Sequence, residues 1–331
     1  MSSTIQHIPA PPRALPRRWR DRAILGGLLA LLGAGLIGLV SATGWQETLA
    51  QLSALHLWQI AGLLGLSLAN YLLRALRWHV LARRLGLPTG LLQNARHFLG
   101  GFAMSVTPGR VGELVRMRWL KRETGWAMER TAPLMLMDRA GDLAVMALIL
   151  GLSLALAAGG ITGALPVTGL AFAAAIVATR PRLLAAVITY SYRATGRAAR
   201  FFARARGAAR LLSRFTHGPT LIAALGLGLI GWFAEGYAFH LLLGWMGADI
   251  GLWKAVAIFV FSALAGGLTG APGGLGGAEA AMVALLSLDG VPLEISVPAT
   301  AVIRLTTLWF AIAIGLAVFP LAERFSQKGQ V

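Results

Sequence analysis

Apolar runs recur along the whole of this chain, and each is nearly as long as a lipid bilayer is thick. They cover residues 23–40, 58–73, 91–106, 133–158, 161–179, 221–246, 253–288 and 299–319, and a spanning helix needs about 20 such residues. A soluble chain of 331 residues would suggest about two domains, but runs of this kind have no water-soluble core large enough to hold them. Hydrophobic residues make up 56% of the chain and charged ones 13%, about half the charged share usual in soluble domains. One integral membrane domain is therefore expected. The net charge of +17 does not make nucleic acid an expected partner, because the arginines cluster in short segments beside apolar runs, as the positive-inside rule predicts. With no cysteine, disulfide and thiolate chemistry are excluded.

Charge placement sets the expected topology. The basic segment "PRRWRDR" precedes the first run, whose 18 residues exceed the roughly 7–15 of a signal-peptide core, so an uncleaved span is expected. Residues 41–57 carry Glu47 and no Lys or Arg, an external signature. The span 58–73 then runs into Arg74, Arg77, Arg83 and Arg84, read as a snorkelling interfacial end on the inside. The short run 91–106 is basic on both flanks, which fits a hairpin that enters and returns on one side. Residues 133–158 cross outward and 161–179 return. Residues 180–214 hold nine Arg and no acid, an internal marker. Arg193, Arg197, Arg200 and Arg204 fall at helical spacing there, which topology marking and a helix on anionic lipid explain equally. The run 221–246 crosses outward with Glu235 in its middle. The run 253–288 is broken at "APGGLGG" between Asp249 and Asp289–Glu294, as for a second hairpin entering from outside. The span 299–319 returns to Glu323, Arg324 and Lys328.

The expected fold is thus an all-α polytopic membrane protein. It has six transmembrane helices plus two re-entrant helical hairpins from opposite faces, in the manner of an inverted repeat. The membrane domain is 23–319, with a basic cytoplasmic loop at 180–217. The tails 1–22 and 320–331 are both cytoplasmic.

Two breaks share one grammar. Pro108-Gly109 with Gly112, and Pro272-Gly273 with Gly274 and Gly276, each precede a segment able to start a helix. Free N–H groups at a helix N-terminus suit a phosphate or carboxylate. Glu113 and Glu279 fall near those starts, either as simple charge matches to the helix dipole or as lining of a polar path. Irregular backbone at membrane depth is tolerated only where protein or a wet cavity covers it, and paired broken helices meet at the substrate site of inverted-repeat transporters. In "MDRAGD", Asp138 and Asp142 share a helix face with Arg139 between them. Each ion at the bilayer centre costs about 2.5–3.5 kcal/mol, so the three are expected to pair or to face water. Glu235 and Arg304, the other charges deep in spans, are expected to neutralise each other or this cluster. Nucleotide-binding, HExxH and GxSxG motifs are absent, and the six His show no ligand spacing, so no cofactor or metal is expected. Paired carboxylates in a membrane cavity leave acid–base chemistry open.

The blocks "TPGRVGELVR", "MDRAGDLAV" and "APGGLGGAE" resemble, in order, the lysylphosphatidylglycerol synthase transmembrane-region family, also called the flippase-like domain family. The likeness runs from about residue 23 to 319. Its first block falls on Pro108, Gly109, Arg110, Gly112, Glu113 and Arg116. The second falls on Asp138, Arg139 and Asp142, with Asp138 where the family carries Glu. The third falls on Pro272, Gly273, Gly274, Gly276 and Glu279. The resemblance implies movement of lipids or lipid-linked molecules between leaflets of a bacterial plasma (inner) membrane. Bifunctional members add a soluble aminoacyl-transfer domain. This chain ends soon after its last span, so aminoacylation of phosphatidylglycerol is not expected. The leading expectation is a lipid translocase, passive or ion-coupled, acting on anionic, polyprenol-type or hopanoid-type lipids. Arg110, Arg116, Arg139 and Arg304 would receive the head group. Glu113, Asp138, Asp142, Glu235 and Glu279 would supply a polar path or carry protons. The alternatives are an enzyme or accessory subunit acting on a lipid-linked glycan, and a scaffold for a separately encoded lipid-modifying enzyme.

Overall fold

The structure is a computed structural model that describes residues 55–107, 114–157, 180–195 and 217–328. It also describes single positions at 50, 53, 166, 169, 170, 173, 176, 177 and 215. The expected spans at 23–40 and 161–179 lie almost wholly outside this set, as does the first break with Pro108, Gly109, Arg110, Gly112 and Glu113.

The described residues are all-α. Helix α1 (Leu57–Leu85) extends twelve residues beyond the expected end at 73. It stops where Gly86 turns left-handed (φ +88°), with Arg83 and Arg84 in the last turn to oppose the helix dipole. Helix α2 (Leu91–Gly100) continues as a 3-10 segment (Gly101–Val106), and α3 (Val115–Thr124) follows the break. Helix α4 (Met128–Leu156) carries the "DRAGD" cluster near its middle. Helix α5 (Pro181–Thr195) lies in the basic loop. Helix α6 (Gly218–Trp245) leads to α7 (Leu252–Leu268). A short 3-10 turn (Pro272–Gly274) separates α7 from α8 (Gly277–Leu288). The last element is one rod: α9 (Leu293–Arg304), a π-helical turn (Leu305–Trp309) and α10 (Phe310–Lys328). It takes in Pro298 and Pro320 and overruns the expected span 299–319 at both ends.

Three of these elements are long and apolar enough to cross a membrane: Leu57–Leu85, Gly218–Trp245 and Leu293–Gln327. At 1.5 Å rise per residue, α2 and α8 reach only about 15 and 18 Å, well short of a bilayer core of about 30 Å.

Glycines let the rods approach. On α6, a Cβ at Gly231 would stand 2.5 Å from Asn70 Oδ1 on α1, and one at Gly228 would stand 2.8 Å from Arg77 Nη1. A Cβ at Gly266 of α7 would lie 2.7 Å from Ala278 Cβ on α8 and 2.9 Å from the Gly274 carbonyl. Helix α7 and the break beyond it are folded together by that contact. The main apolar core, around Leu150, Phe239, Val256, Phe259 and Val302, joins α4, α6, α7 and α9. A second, around Trp78, Phe98, Phe102 and Leu134, joins α1, α2 and α4.

Candidate functional site: a charged cavity between two helix breaks

Helix α1 presents Ser67, Asn70, Arg74 and Arg77 at steps of three and four residues, which puts them on one face. All four are buried, Arg77 with 0% exposure. This corrects the reading of Arg74 and Arg77 as an interfacial end, because the helix continues and carries them against α4 and α6. Arg77 donates to Asp138 Oδ1 through Nε (3.0 Å) and Nη2 (2.6 Å), and Nη2 also reaches Asp142 Oδ1 at 2.7 Å. Arg74 Nη2 donates to Asp142 Oδ2 at 2.7 Å. The Trp232 indole on α6 donates to Asp142 Oδ1 at 3.0 Å, and Arg139 Nη1 lies 3.5 Å from Asp142 Oδ2. The "DRAGD" carboxylates are thus bound by arginines of another helix, with Gly228 leaving room for one guanidinium.

Arg304, at the end of α9, does not neutralise Glu235 or the "DRAGD" cluster. Its Nε donates to Glu279 Oε1 at 2.5 Å and its Nη2 to the Gly273 carbonyl at 2.9 Å. Gly273 and Gly274 both have positive φ (+61° and +70°), as does Gly276 (+80°) before α8, a backbone that L side chains rarely adopt. Arg304 therefore fastens the second break to the last rod. The adjoining π turn frees carbonyls from the regular ladder, and the Tyr71 hydroxyl donates to the Thr307 backbone carbonyl at 2.5 Å.

These groups surround a cavity of about 510 Å³. Its polar wall holds Arg74, Arg139, Asp142, Glu235 and Arg304. Its apolar wall holds Met135, Leu143, Met146, Phe259, Leu264, Leu268 and Leu308. Ser105, from the 3-10 segment leading into the first break, and Ala271, Gly273 and Gly274, from the second, line it together. The segment leading into the first break and the second break itself thus border one chamber, while residues 108–113 lie outside the described residues.

Arg116, expected at the head-group site, is fully buried elsewhere. Its guanidinium lies 4.4 Å from the Phe98 ring centroid, 5.5 Å from Trp78 and 5.8 Å from Phe102, a cation–π cage. Asp138 and Glu279 do not line the cavity but hold arginines at or behind its wall. Among the described residues no group of three or more His, Asp or Glu could hold a metal ion. Sequence reasoning missed Arg74, Arg77, Trp232 and Tyr71. The usable signal was the polar 67–70–74–77 stripe inside an apolar run.

Outside the long apolar helices, Glu123 on α3 binds back to α2. His97 Nε2 stands 3.0 Å from it and Arg96 Nη2 3.1 Å, and the Gln93 amide donates to it as well. Burial pushes the Glu123 carboxyl up, but the hydrogen bonds from His97 and Gln93 and the charge of Arg96 outweigh this and hold it below the usual carboxylate range.

A helical membrane bundle with a partly open chamber, mostly apolar but charged on one wall, beside a broken helix is the class that fold and site define. The chain belongs to the lysylphosphatidylglycerol synthase TM region family, whose model matches residues 23–315. It is also similar to a UPF0104 membrane protein of Methanothermobacter thermautotrophicus. The two are 31% identical over 100 residues, a stretch covering 30% of this chain and 30% of that relative.

Proposed function

We propose that this chain is a lipid translocase of a bacterial plasma membrane, with six spans, two re-entrant hairpins and cytoplasmic termini. The observation that carries the reading is the two-sided chamber. A head group needs hydrogen-bond donors and charge, which Arg139 and Arg304 supply. Acyl chains need an apolar surface, which Phe259, Leu264, Leu268 and Leu308 supply on the facing wall. Its lining by Ser105, just ahead of the first Pro-Gly, and by the second break supports an arrangement in which broken helices meet at a substrate site. The cargo is a membrane lipid with an anionic head group.

Reconstitution tests this directly. Vesicles holding the purified protein and a fluorescent phosphatidylglycerol in both leaflets should expose the inner-leaflet probe to an outside quencher faster than protein-free vesicles. Arg139→Gln should slow this by about tenfold or more, the loss expected when a charge-assisted hydrogen bond of about 1.5–3 kcal/mol is removed. Equal rates with and without protein, under every ion gradient, would remove the reading. Altered lipid chemistry rather than altered sidedness in a deletion strain would point instead to an enzyme.

A further inference from the structure

Around the cavity, Arg74, Arg77, Arg139 and Arg304 stand against Asp138, Asp142, Glu279 and Glu235. Asp138, Asp142 and Glu279 each lie within 2.7 Å of an arginine nitrogen. Glu235 is 5% exposed and lines the chamber, yet it makes no ion pair among the described residues. Beside it stands Asn70, fully buried, which offers Glu235 a neutral amide and no counter-charge. Gly231, one turn before Glu235, provides the space for that amide. The titratable groups that act on Glu235 are Tyr71 and Arg74 on α1, Asp142 on α4 and Arg304 on α9; α1 and α4 also carry Arg77, paired with Asp138, and Arg139, which lines the same cavity. Glu294 lies in the first turn of α9. Helix α7, also packed on α6, carries one charged residue, Lys254, which Asp289 holds at 2.6 Å.

A buried carboxylate with a neutral amide beside it and no ion pair is costly as an anion, so Glu235 is where the set gains or loses a charge. Protonating it shifts the net charge of the chamber wall by one unit towards positive. We propose that Glu235 is a proton site that couples head-group binding to protonation. With the proton on, the chamber holds an anionic phospholipid head group; with the proton off, it releases it. The inference rests on the lipid-translocase reading and adds to it the coupling ion and the head-group class. Coupling is reciprocal: at pH above the range where Glu235 titrates, where the test is run, each head group that binds takes up one proton and the affinity falls about tenfold per pH unit.

The test uses the full chain in detergent micelles, with short-chain phosphatidylglycerol as the probe. A dye in weak buffer reads proton uptake, and tryptophan fluorescence reads binding. The expected result is one proton taken up per phosphatidylglycerol bound, an affinity that drops with rising pH, and no linked uptake with phosphatidylcholine. Glu235→Gln should bind phosphatidylglycerol without proton uptake and with pH-independent affinity, whereas Glu235→Asp should restore the linkage. If Glu235→Gln fails to fold, the wild-type stoichiometry and the Asp variant decide. The proposal falls if wild type binds phosphatidylglycerol without proton uptake or does not bind it. It also falls if uptake survives in Glu235→Gln, or if affinity follows Na⁺ instead of pH. Linked binding without transfer between leaflets in vesicles would leave the proton site standing and remove the translocase. Transfer indifferent to pH would do the reverse.

Discussion

Asp142 is held by Arg74 and Arg77, 68 and 65 residues away in sequence, and by the Trp232 indole, with both its oxygens in use. Removing its charge would leave Arg74 and Arg77 short of a counter-ion inside the bundle. Breaking a buried pair from one side costs about 3–5 kcal/mol, so Asp142→Asn and Asp138→Asn should each lower the melting temperature in detergent by many degrees. Replacing Arg77 and Asp138 together by apolar residues of similar size should cost less than either single change, because no ion is then stranded. A melting series of the two single variants and the double one decides this. That the "DRAGD" cluster needed partners was legible in the sequence, since the cost of three ions in a span is general. The partners were not legible. Arg74 and Arg77 follow sixteen apolar residues that already look like a complete span, and only packing on α4 and α6 shows that the helix buries them. Pairing Arg304 with Glu235 failed for a related reason: each is the lone charge in its expected span, but the fold brings Glu279 to Arg304.

Among the elements, the second break depends on close approach. Gly266→Ala would drive a methyl into Ala278 and the Gly274 carbonyl. Overpacking of this kind costs about 1–3 kcal/mol, and here it should also part α7 from α8 and disturb the Gly273 carbonyl that Arg304 grips. Gly267→Ala, where a Cβ meets nothing within 4 Å, is the matched control, and both transfer rate and melting should separate the two. At the other end of the bundle, Glu323 on α10 accepts from Arg118 (2.6 Å), the Trp119 indole (2.8 Å) and Arg122 (2.6 Å), while Glu123 ties α3 to α2. Because the Glu123 carboxyl is held low, its contribution to stability is complete above the ordinary carboxylate pKa of about 4.3. It is lost as pH falls through the depressed folded value. Wild type should therefore lose melting temperature on acidification more steeply than Glu123→Gln. The second break was legible from its Pro-Gly dipeptide and clustered glycine, while the first lies outside the described residues. The tethers made by Glu123 and Glu323 were not legible, since the basic run after residue 114 reads equally well as a topology marker.

At the scale of the molecule, orientation can be read chemically because the chain has no native cysteine. Single cysteines at Asp249 and at Arg182 should report opposite sides: a membrane-impermeant maleimide added to intact cells labels the first and spares the second until the membrane is permeabilised. Labelling of both, or the reverse pattern, would invert the assigned topology. The all-α class and membrane setting followed from apolar runs alone. The last rod did not, because Pro298 and Pro320 read as boundaries, yet the helix runs through both. Within that rod the π turn at Leu305–Trp309 has a consequence for insertions and deletions. A π turn, closed by i→i+5 bonds, takes up one residue more than an α turn for about the same rotation. Losing one residue at 305–309 would therefore let the ladder close regularly and leave α10 near its present azimuth, whereas a residue lost from regular α-helix turns everything after it by about 100°. A one-residue deletion within 310–314 would swing Gly315 away from the Ala103 backbone it packs on, so it should lower the melting temperature more than a one-residue deletion at 305–309.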